Sequence, residues 1–286
     1  MKLFNFKNIK TRLTVLFLLI ALSPLAIVLT ITYFNRVDII ENRSTDKLVA
    51  IRDLKVQQLN SWLDERVGDL NSMSNDNELI NLGNIHHKTS FDQDDLKLLD
   101  NCSQILNRNL NNFDSYYDFY IINPNNGKIM VSTKVDLNGV DKSTEDYFTI
   151  PMKSGELTIS DVYYSKTLSE YTMSYSIPIY SKEQGKKSIV GILVARINLK
   201  ASLYKLLLNR VGLGYTGETL IVDKNAIALN ELRWYENAPL NLKIKAEPAV
   251  NAANGMTGIA ITNDYRDESV LAAYTFIPQT NWGFVC

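Results

Sequence analysis

The chain has 286 residues, 45% of them hydrophobic, with 30 basic and 31 acidic side chains and a formal net charge of −1. Near-neutral charge, with no basic run beyond the N-terminal flank, argues against nucleic acid as a partner, because that binding needs concentrated Lys and Arg. Cys102 and Cys286 are the only cysteines. They are too few and too widely spaced for a disulfide framework and read as a structural thiol or a chance residue.

Leu13 to Tyr33 (LTVLFLLIALSPLAIVLTITY) carries no charged side chain and matches the ~20 residues a helix needs to cross bilayer hydrocarbon. Lys2, Lys7, Lys10 and Arg12 precede it without an acidic neighbour, while Arg36, Asp38 and Glu41 follow. Basic flanks stay cytoplasmic, so residues 1–12 are expected inside and everything after about residue 34 outside. A cleavable signal peptide is the competing reading. Its apolar region would span ~7–15 residues before a small-x-small site, whereas this stretch is longer and ends in bulky residues. Pro24 is compatible with a membrane helix if the carbonyl it frees finds another partner.

Asn35 to Asn75 lacks proline, and Ile40, Leu48, Ile51, Leu59, Leu63, Leu70 and Met73 recur at helical intervals. The pattern predicts a stalk helix of ~40 residues with one apolar stripe, to be covered by its own domain, by a second subunit, or by each in turn. Asp76–Ser90 breaks the pattern, and Phe91–Leu110 resumes as one or two helices. The adjacent His86 and His87, the only histidines, read as solvated surface rather than as metal ligands.

From Tyr116 the texture turns to short β-type runs. Tyr117–Ile122 and Lys128–Thr133 flank Asn123-Pro124-Asn125-Asn126-Gly127, a hairpin signal with Asn-Gly where positive φ is needed. Strands are predicted at Leu157–Tyr164, Glu170–Tyr180 and Ser188–Ile197, with a turn at Gln184-Gly185-Lys186. Tyr171, Met173, Tyr175 and Ile177 show the alternation of a half-buried antiparallel sheet. Leu199–Val211 reads as an amphipathic helix. A second β-rich unit follows, with strands at Thr219–Asp223, Ala226–Asn230, Thr257–Thr262, Ser269–Phe276 and from Trp282, and a mixed helical region at Pro239–Ala253.

Gly212-Leu213-Gly214-Tyr215-Thr216-Gly217 matches the letters of a dinucleotide fingerprint. That fingerprint needs a strand before it and a helix after it, and here the predicted order is reversed. No nucleophile elbow, HExxH or phosphate loop is present, so no catalytic residue, metal or cofactor is expected within this chain. The fold class read from these elements is α+β: an N-terminal transmembrane helix, a long stalk helix, and two tandem antiparallel-sheet lobes.

From the stalk onward the residues resemble the double Cache family of extracytoplasmic sensor domains. The similarity is carried by Gln57–Arg66, by Asp146-Tyr147-Phe148, by Ile159–Tyr163, by Ile177–Tyr180, by Val190–Leu193, by Gly217–Asn225, by Val270–Tyr274 and by Trp282-Gly283-Phe284. The resemblance implies PAS-like lobes, the membrane-distal one over residues 113–200 and the proximal one over 201–286, after a stalk and helical region over 34–112. It implies small-molecule recognition in the distal lobe, and the apolar stripe of the stalk adds the expectation of a homodimer formed through it. It also implies a second membrane helix and a cytoplasmic kinase, chemotaxis or cyclase output. With no second apolar span before Cys286, the expectation is a fragment of a receptor.

The candidate ligand-binding residues are Tyr120, Glu145, Tyr147, Phe148, Asp161, Tyr163, Tyr175 and Arg196. The resemblance points to Glu145, Tyr147, Phe148 and Arg196, while Tyr117, Tyr120, Tyr147, Tyr163 and Tyr175 each offer a pocket an apolar face and one hydrogen-bonding tip, with ordinary half-buried sheet packing as the alternative for any one of them. In the amino-acid-binding branch an arginine two residues before an aromatic pair holds the ligand carboxylate, and an aspartate on the last distal strand holds the amine. Here those positions align with Glu145 and Arg196, so both charges are inverted and a carboxylate beside Glu145 would be repelled. Three readings stay open. Glu145 and Arg196 pair with each other; Arg196 holds an anion such as an organic acid; or the alignment is off by one residue. The expected function is small-molecule sensing by a membrane receptor, with a membrane-anchored binding or scaffolding protein as the alternative.

Overall fold

The computed structural model of the chain describes residues 9–181 and 188–286, apart from the side chains at 12, 35, 37 and 38. The predicted turn at Gln184–Lys186 and the flanking Lys2 and Lys7 lie outside the described residues. The chain forms two compact units, one ending at Ala50 and the other spanning Ile51–Cys286. One helix, α1 (Ile9–Ser74), accounts for the predicted anchor and stalk together.

In the first unit the apolar side chains from Leu13 to Phe34 are largely exposed, Phe17 at 69% and Leu29 at 61% among them. So much bare hydrocarbon suits lipid rather than water, and the helix is long and apolar enough to cross a membrane. Pro24 removes the amide that would serve the Ile20 carbonyl. The Ser23 hydroxyl donates to that carbonyl instead, at 3.4 Å, the substitution the proline requires.

The second unit begins with the lower part of α1, whose Leu59, Leu63, Leu70 and Met73 are buried as the stripe predicts. Helix α2 (Asn77–Ile80) and a 3-10 turn (Asn81–Asn84) occupy the break in the pattern. The region from Phe91 onward is one helix, α3 (Gln93–Asn112), started by a reciprocal capping box between Asp92 and Asp95.

A five-stranded antiparallel sheet follows. Its strands are β1 (Tyr116–Ile122), β2 (Ile129–Ser132), β3 (Thr158–Ile159), β6 (Ser174–Tyr180) and β7 (Ile189–Ile197), in the order β2-β1-β7-β6-β3. The β1–β2 hairpin turns at Gly127, where φ is +69°. The predicted single strands 157–164 and 170–180 are each divided. Residues Tyr163–Ser165 (β4) and Glu170–Thr172 (β5) leave the sheet as a separate two-stranded ribbon. Helix α4 (Asp146–Ser154) packs on β6 and β7. One face of the sheet joins α1 in the main core, through Phe119, Ile121, Tyr175, Leu193 and Ala195. The other face joins α4 in a smaller cluster of Tyr120, Ile122, Tyr147, Phe148, Ile192 and Val194.

Helix α5 (Leu203–Leu208) precedes the glycine run and strand β8 (Leu220–Val222) follows it, the order predicted and the reverse of a dinucleotide site. Strands β9 (Gly258–Asn263), β10 (Ser269–Ile277) and β11 (Trp282–Val285) complete a four-stranded antiparallel sheet in the order β8-β11-β10-β9, with α6 (Glu247–Ala253) packed on it. The predicted strand Ala226–Asn230 is instead an irregular segment with two isolated bridges. The buried Asn230 side chain does a strand's work there, accepting from Ile221 N at 2.8 Å and donating to Thr219 O at 3.1 Å.

Candidate functional site

Strand alternation places Asp118, Tyr120 and Ile122 of β1 on the α4 side of the first sheet, with Ile192, Val194 and Arg196 of β7 and Ser174 and Ser176 of β6. Asp118 stands directly across from Arg196 in the β1–β7 register. The two form a bidentate pair, Arg196 Nε to Asp118 Oδ1 at 2.7 Å and Nη2 to Oδ2 at 2.5 Å. Arg196 Nη1 donates to Ser165 Oγ at 3.2 Å and Thr167 Oγ1 at 2.7 Å, both in the β4–β5 ribbon. Burial opposes the charge on Arg196, but the Asp118 carboxylate outweighs it and raises the pKa. The guanidinium is therefore a fixed cation that ties the ribbon to the sheet.

Lys134, just beyond β2, brings a second cation to Asp118, with Nζ 3.3 Å from Oδ2. Asp118 is fully buried while the Lys134 side chain is 39% exposed. The sequence reading missed Asp118; the signal that could have found it is a charged residue inside YYDFYII, since a buried carboxylate must be paired.

The tyrosines gather around this pair. Arg196 lies over the Tyr120 ring at 5.6 Å, and Tyr120 meets Tyr147 edge-on at 6.3 Å. Tyr163 Oη and Ser174 Oγ share a hydrogen bond of 2.7 Å. Burial raises the pKa of Tyr120, Tyr147 and Tyr163, so all three phenols are neutral donors at physiological pH. Tyr120 Oη is buried and makes no hydrogen bond of ordinary geometry, its polar neighbour being the Tyr147 phenol. Phe148 closes the apolar side beneath α4.

Six of the eight expected residues thus belong to one neighbourhood: Tyr120, Glu145, Tyr147, Phe148, Tyr163 and Arg196. Glu145 sits at its edge, at the N-cap of α4, close enough to raise the pKa of both Tyr147 and Tyr163. It does not pair with Arg196. Its cation is Lys142, at 3.7 Å, because Glu145 lies on the exposed start of a helix while Asp118 is the register partner of Arg196.

Two expected residues lie elsewhere. Tyr175 points from β6 into the α1 side of the sheet, where Arg66 is its charged neighbour. Asp161 accepts the indole N–H of Trp282 at 3.1 Å, joining the loop before β4 to the last strand of the second sheet. Tyr117 is half-buried near Glu170 and Lys200.

The fold has solved counterparts. The ligand-binding domain of the Campylobacter jejuni chemoreceptor Tlp3, in complex with 4-methylisoleucine, is similar with a TM-score of 0.62 and 16% identity, covering 85% of this chain and 90% of that one. The ligand-binding domain of the Pseudomonas aeruginosa PAO1 amino acid chemoreceptor PctC, in complex with GABA, is similar with a TM-score of 0.56 and 15% identity, covering 83% and 96%. The ligand-binding domain of Mlp24 with asparagine gives a TM-score of 0.56 and 16% identity, covering 87% and 92%. No curated protein matches by sequence. The family model of the double Cache type, described as Cache domain, matches residues 37–286. With that match over most of its length, and with two antiparallel sheets on a long helix, the chain belongs to the Cache domain family.

Proposed function

We propose that the chain is the anchor and extracytoplasmic small-molecule-sensing region of a transmembrane signalling receptor, with its ligand held in the first lobe between α4, the β4–β5 ribbon and the sheet. The observation that carries this reading is the Tyr120 hydroxyl, buried beside the Arg196–Asp118 pair with no hydrogen bond of ordinary geometry and only the Tyr147 phenol as a polar neighbour. An unmet buried polar group is costly, and where aromatic faces and charges converge it is suited to meeting a ligand. Family membership and the N-terminal apolar helix support the receptor setting.

In this reading the segment after α1 leaves the membrane faces the exterior, and two copies pair through the helix, whose Leu54 is 55% exposed. Ligand draws the ribbon and α4 onto the sheet. It acts by binding one of two arrangements better than the other, and the change passes through the second lobe to a cytoplasmic output. The solved neighbours hold amino acids, but Glu145 stands where the amino-acid branch is expected to carry an arginine, so their ligands are not carried over here.

The test is a thermal-shift and calorimetric screen of the full chain in nanodiscs against organic acids, amino acids and amines. A ligand that binds only the folded state raises the midpoint by mass action. Tyr120→Phe should lose that shift while the unliganded protein stays as stable or gains up to ~1 kcal/mol, since it sheds an unpaired hydroxyl. A folded protein that responds to no member of the panel would instead favour a membrane-anchored protein acting through a protein partner.

A further inference from the structure

The charges around Tyr120 do not cancel, and their imbalance names a ligand class. This step rests on the first lobe being the sensing site. Three elements bring ionisable groups to the buried pair: β1 supplies Asp118, β7 supplies Arg196, and the segment after β2 supplies Lys134. From α4 comes Glu145, already matched by Lys142. Two cations against one carboxylate leave a surplus of one positive charge.

The two cations differ in what they have left to give. Arg196 spends Nε and one Nη2 hydrogen on Asp118 and both Nη1 hydrogens on Ser165 and Thr167, which leaves one N–H of a side chain only 6% exposed. Lys134 touches only Asp118 Oδ2, at 3.3 Å, and its ammonium has three donors. Asp118 in turn already faces both cations, with Oδ1 held by Arg196 and Oδ2 by Arg196 and Lys134. The acid at the edge of the site, Glu145, is 47% exposed and paired with Lys142. A ligand ammonium would therefore add a third cation beside a carboxylate that already faces two. A ligand carboxylate would neutralise the surplus.

We propose that this site selects small monocarboxylates lacking an ammonium group, with Lys134 as the anion anchor and the Tyr120 hydroxyl as a second donor. Arg196, buried and held by Asp118 and the ribbon, is a positioning residue. Tyr120 stands two residues along β1 from Asp118 on the same face, and Ser132, two residues before Lys134, is its register partner on β2. Donor hydroxyl and ammonium thus project from neighbouring positions of one hairpin.

Isothermal titration of the full chain in nanodiscs tests this with matched probes: acetate, L-lactate and pyruvate against lactamide, L-alanine and isopropylamine. The expected result is that at least one carboxylate binds about 10- to 100-fold more tightly than its matched amide, amino acid and amine, the range of one charge-assisted hydrogen bond. Lys134→Ala should remove that advantage over lactamide, and Lys134→Arg should restore most of it. The Asp118–Arg196 pair, untouched by these substitutions, keeps the lobe folded. Tighter binding of L-alanine or isopropylamine, lost in Tyr120→Phe, would overturn the inference and leave the sensing site standing. Carboxylate binding unchanged in Lys134→Ala would also overturn it. Silence from all six probes would overturn it too; if the wider panel of organic acids, amino acids and amines were silent as well, the small-molecule reading would fall with it.

Discussion

Replacing Asp118 by Asn removes a buried charge whose partner cannot leave. Arg196 is 5% exposed, and without the carboxylate it retains only neutral acceptors, the new amide oxygen and the hydroxyls of Ser165 and Thr167. Removing one member of a buried pair costs about 3–5 kcal/mol, because the survivor stays desolvated and unpaired. Lys134 adds little to that figure, since its exposed side chain can return to water. For a folded region of this size each kcal/mol moves the midpoint by ~2–4 °C, so Asp118→Asn should melt roughly 6–20 °C below the parent. Thermal and urea unfolding of the full chain in nanodiscs, followed by tryptophan fluorescence, measures the difference. The double substitution Asp118→Asn with Arg196→Met should recover part of the loss, because it withdraws the stranded charge as well. A single-mutant cost under about 1 kcal/mol, or no recovery in the pair, would show that the ion pair does not anchor the ribbon.

The indole of Trp282 and the carboxylate of Asp161 should show a coupling of ~0.5–1.5 kcal/mol in a double-mutant cycle of Trp282→Phe and Asp161→Ala; additivity within about 0.3 kcal/mol would leave the two sheets without this link. Gly127→Ala should destabilise by about 2 kcal/mol or more in urea titration, because φ is +69° and the new Cβ would lie 2.6 Å from the Ser143 Cα. A near-neutral result would mean the hairpin tolerates another turn. Burial pushes the Cys102 thiol up to about 12, so its thiolate is absent until pH nears that value and only about one molecule in ten thousand carries it at pH 8. Peptide mapping after iodoacetamide treatment at pH 8 should find Cys102 unmodified in the native protein and modified after denaturation; equal labelling in both states would contradict its burial.

Elements whose apolar period was long and uniform were legible in the residues. The stripe of Leu59, Leu63, Leu70 and Met73 and the Asn-Gly hairpin were both read from local rules that tertiary packing does not overturn. Periodicity failed where the chain changed sheets without changing rhythm. Tyr171, Met173, Tyr175 and Ile177 alternate evenly, yet the residues before Met173 belong to the ribbon and those after it to the main sheet. The switch is fixed by contacts distant in sequence: Thr172 Oγ1 donates to the Ile197 carbonyl at 2.9 Å, and Ile197 N donates to Met173 O at 2.9 Å. Ala226–Asn230 misled for a related reason, since a side-chain amide can replace a ladder bond without altering the apolar pattern.

The site divided along the same line. Tyr120, Tyr147, Phe148, Tyr163 and Arg196 share one neighbourhood; Tyr147, Phe148, Tyr163 and Arg196 come from segments or positions aligned with the family and Tyr120 from its residue type, and strand alternation alone separates Tyr120 from Tyr175. What alignment could not supply was the partner of Arg196. Position-by-position comparison offers Glu145, the residue in the expected slot, whereas electrostatics offers whichever carboxylate the sheet register sets opposite, and that is Asp118. A charged side chain in the middle of an apolar strand is costly unless paired, and that signal at Asp118 was passed over in the sequence. Arg196 is the only arginine or lysine in the run Ile189–Ile197, and it is the β1–β7 register that joins the two. Once the pair forms, most of the guanidinium is engaged within the lobe, so in the proposed site the anion anchor is Lys134, which no family position marked.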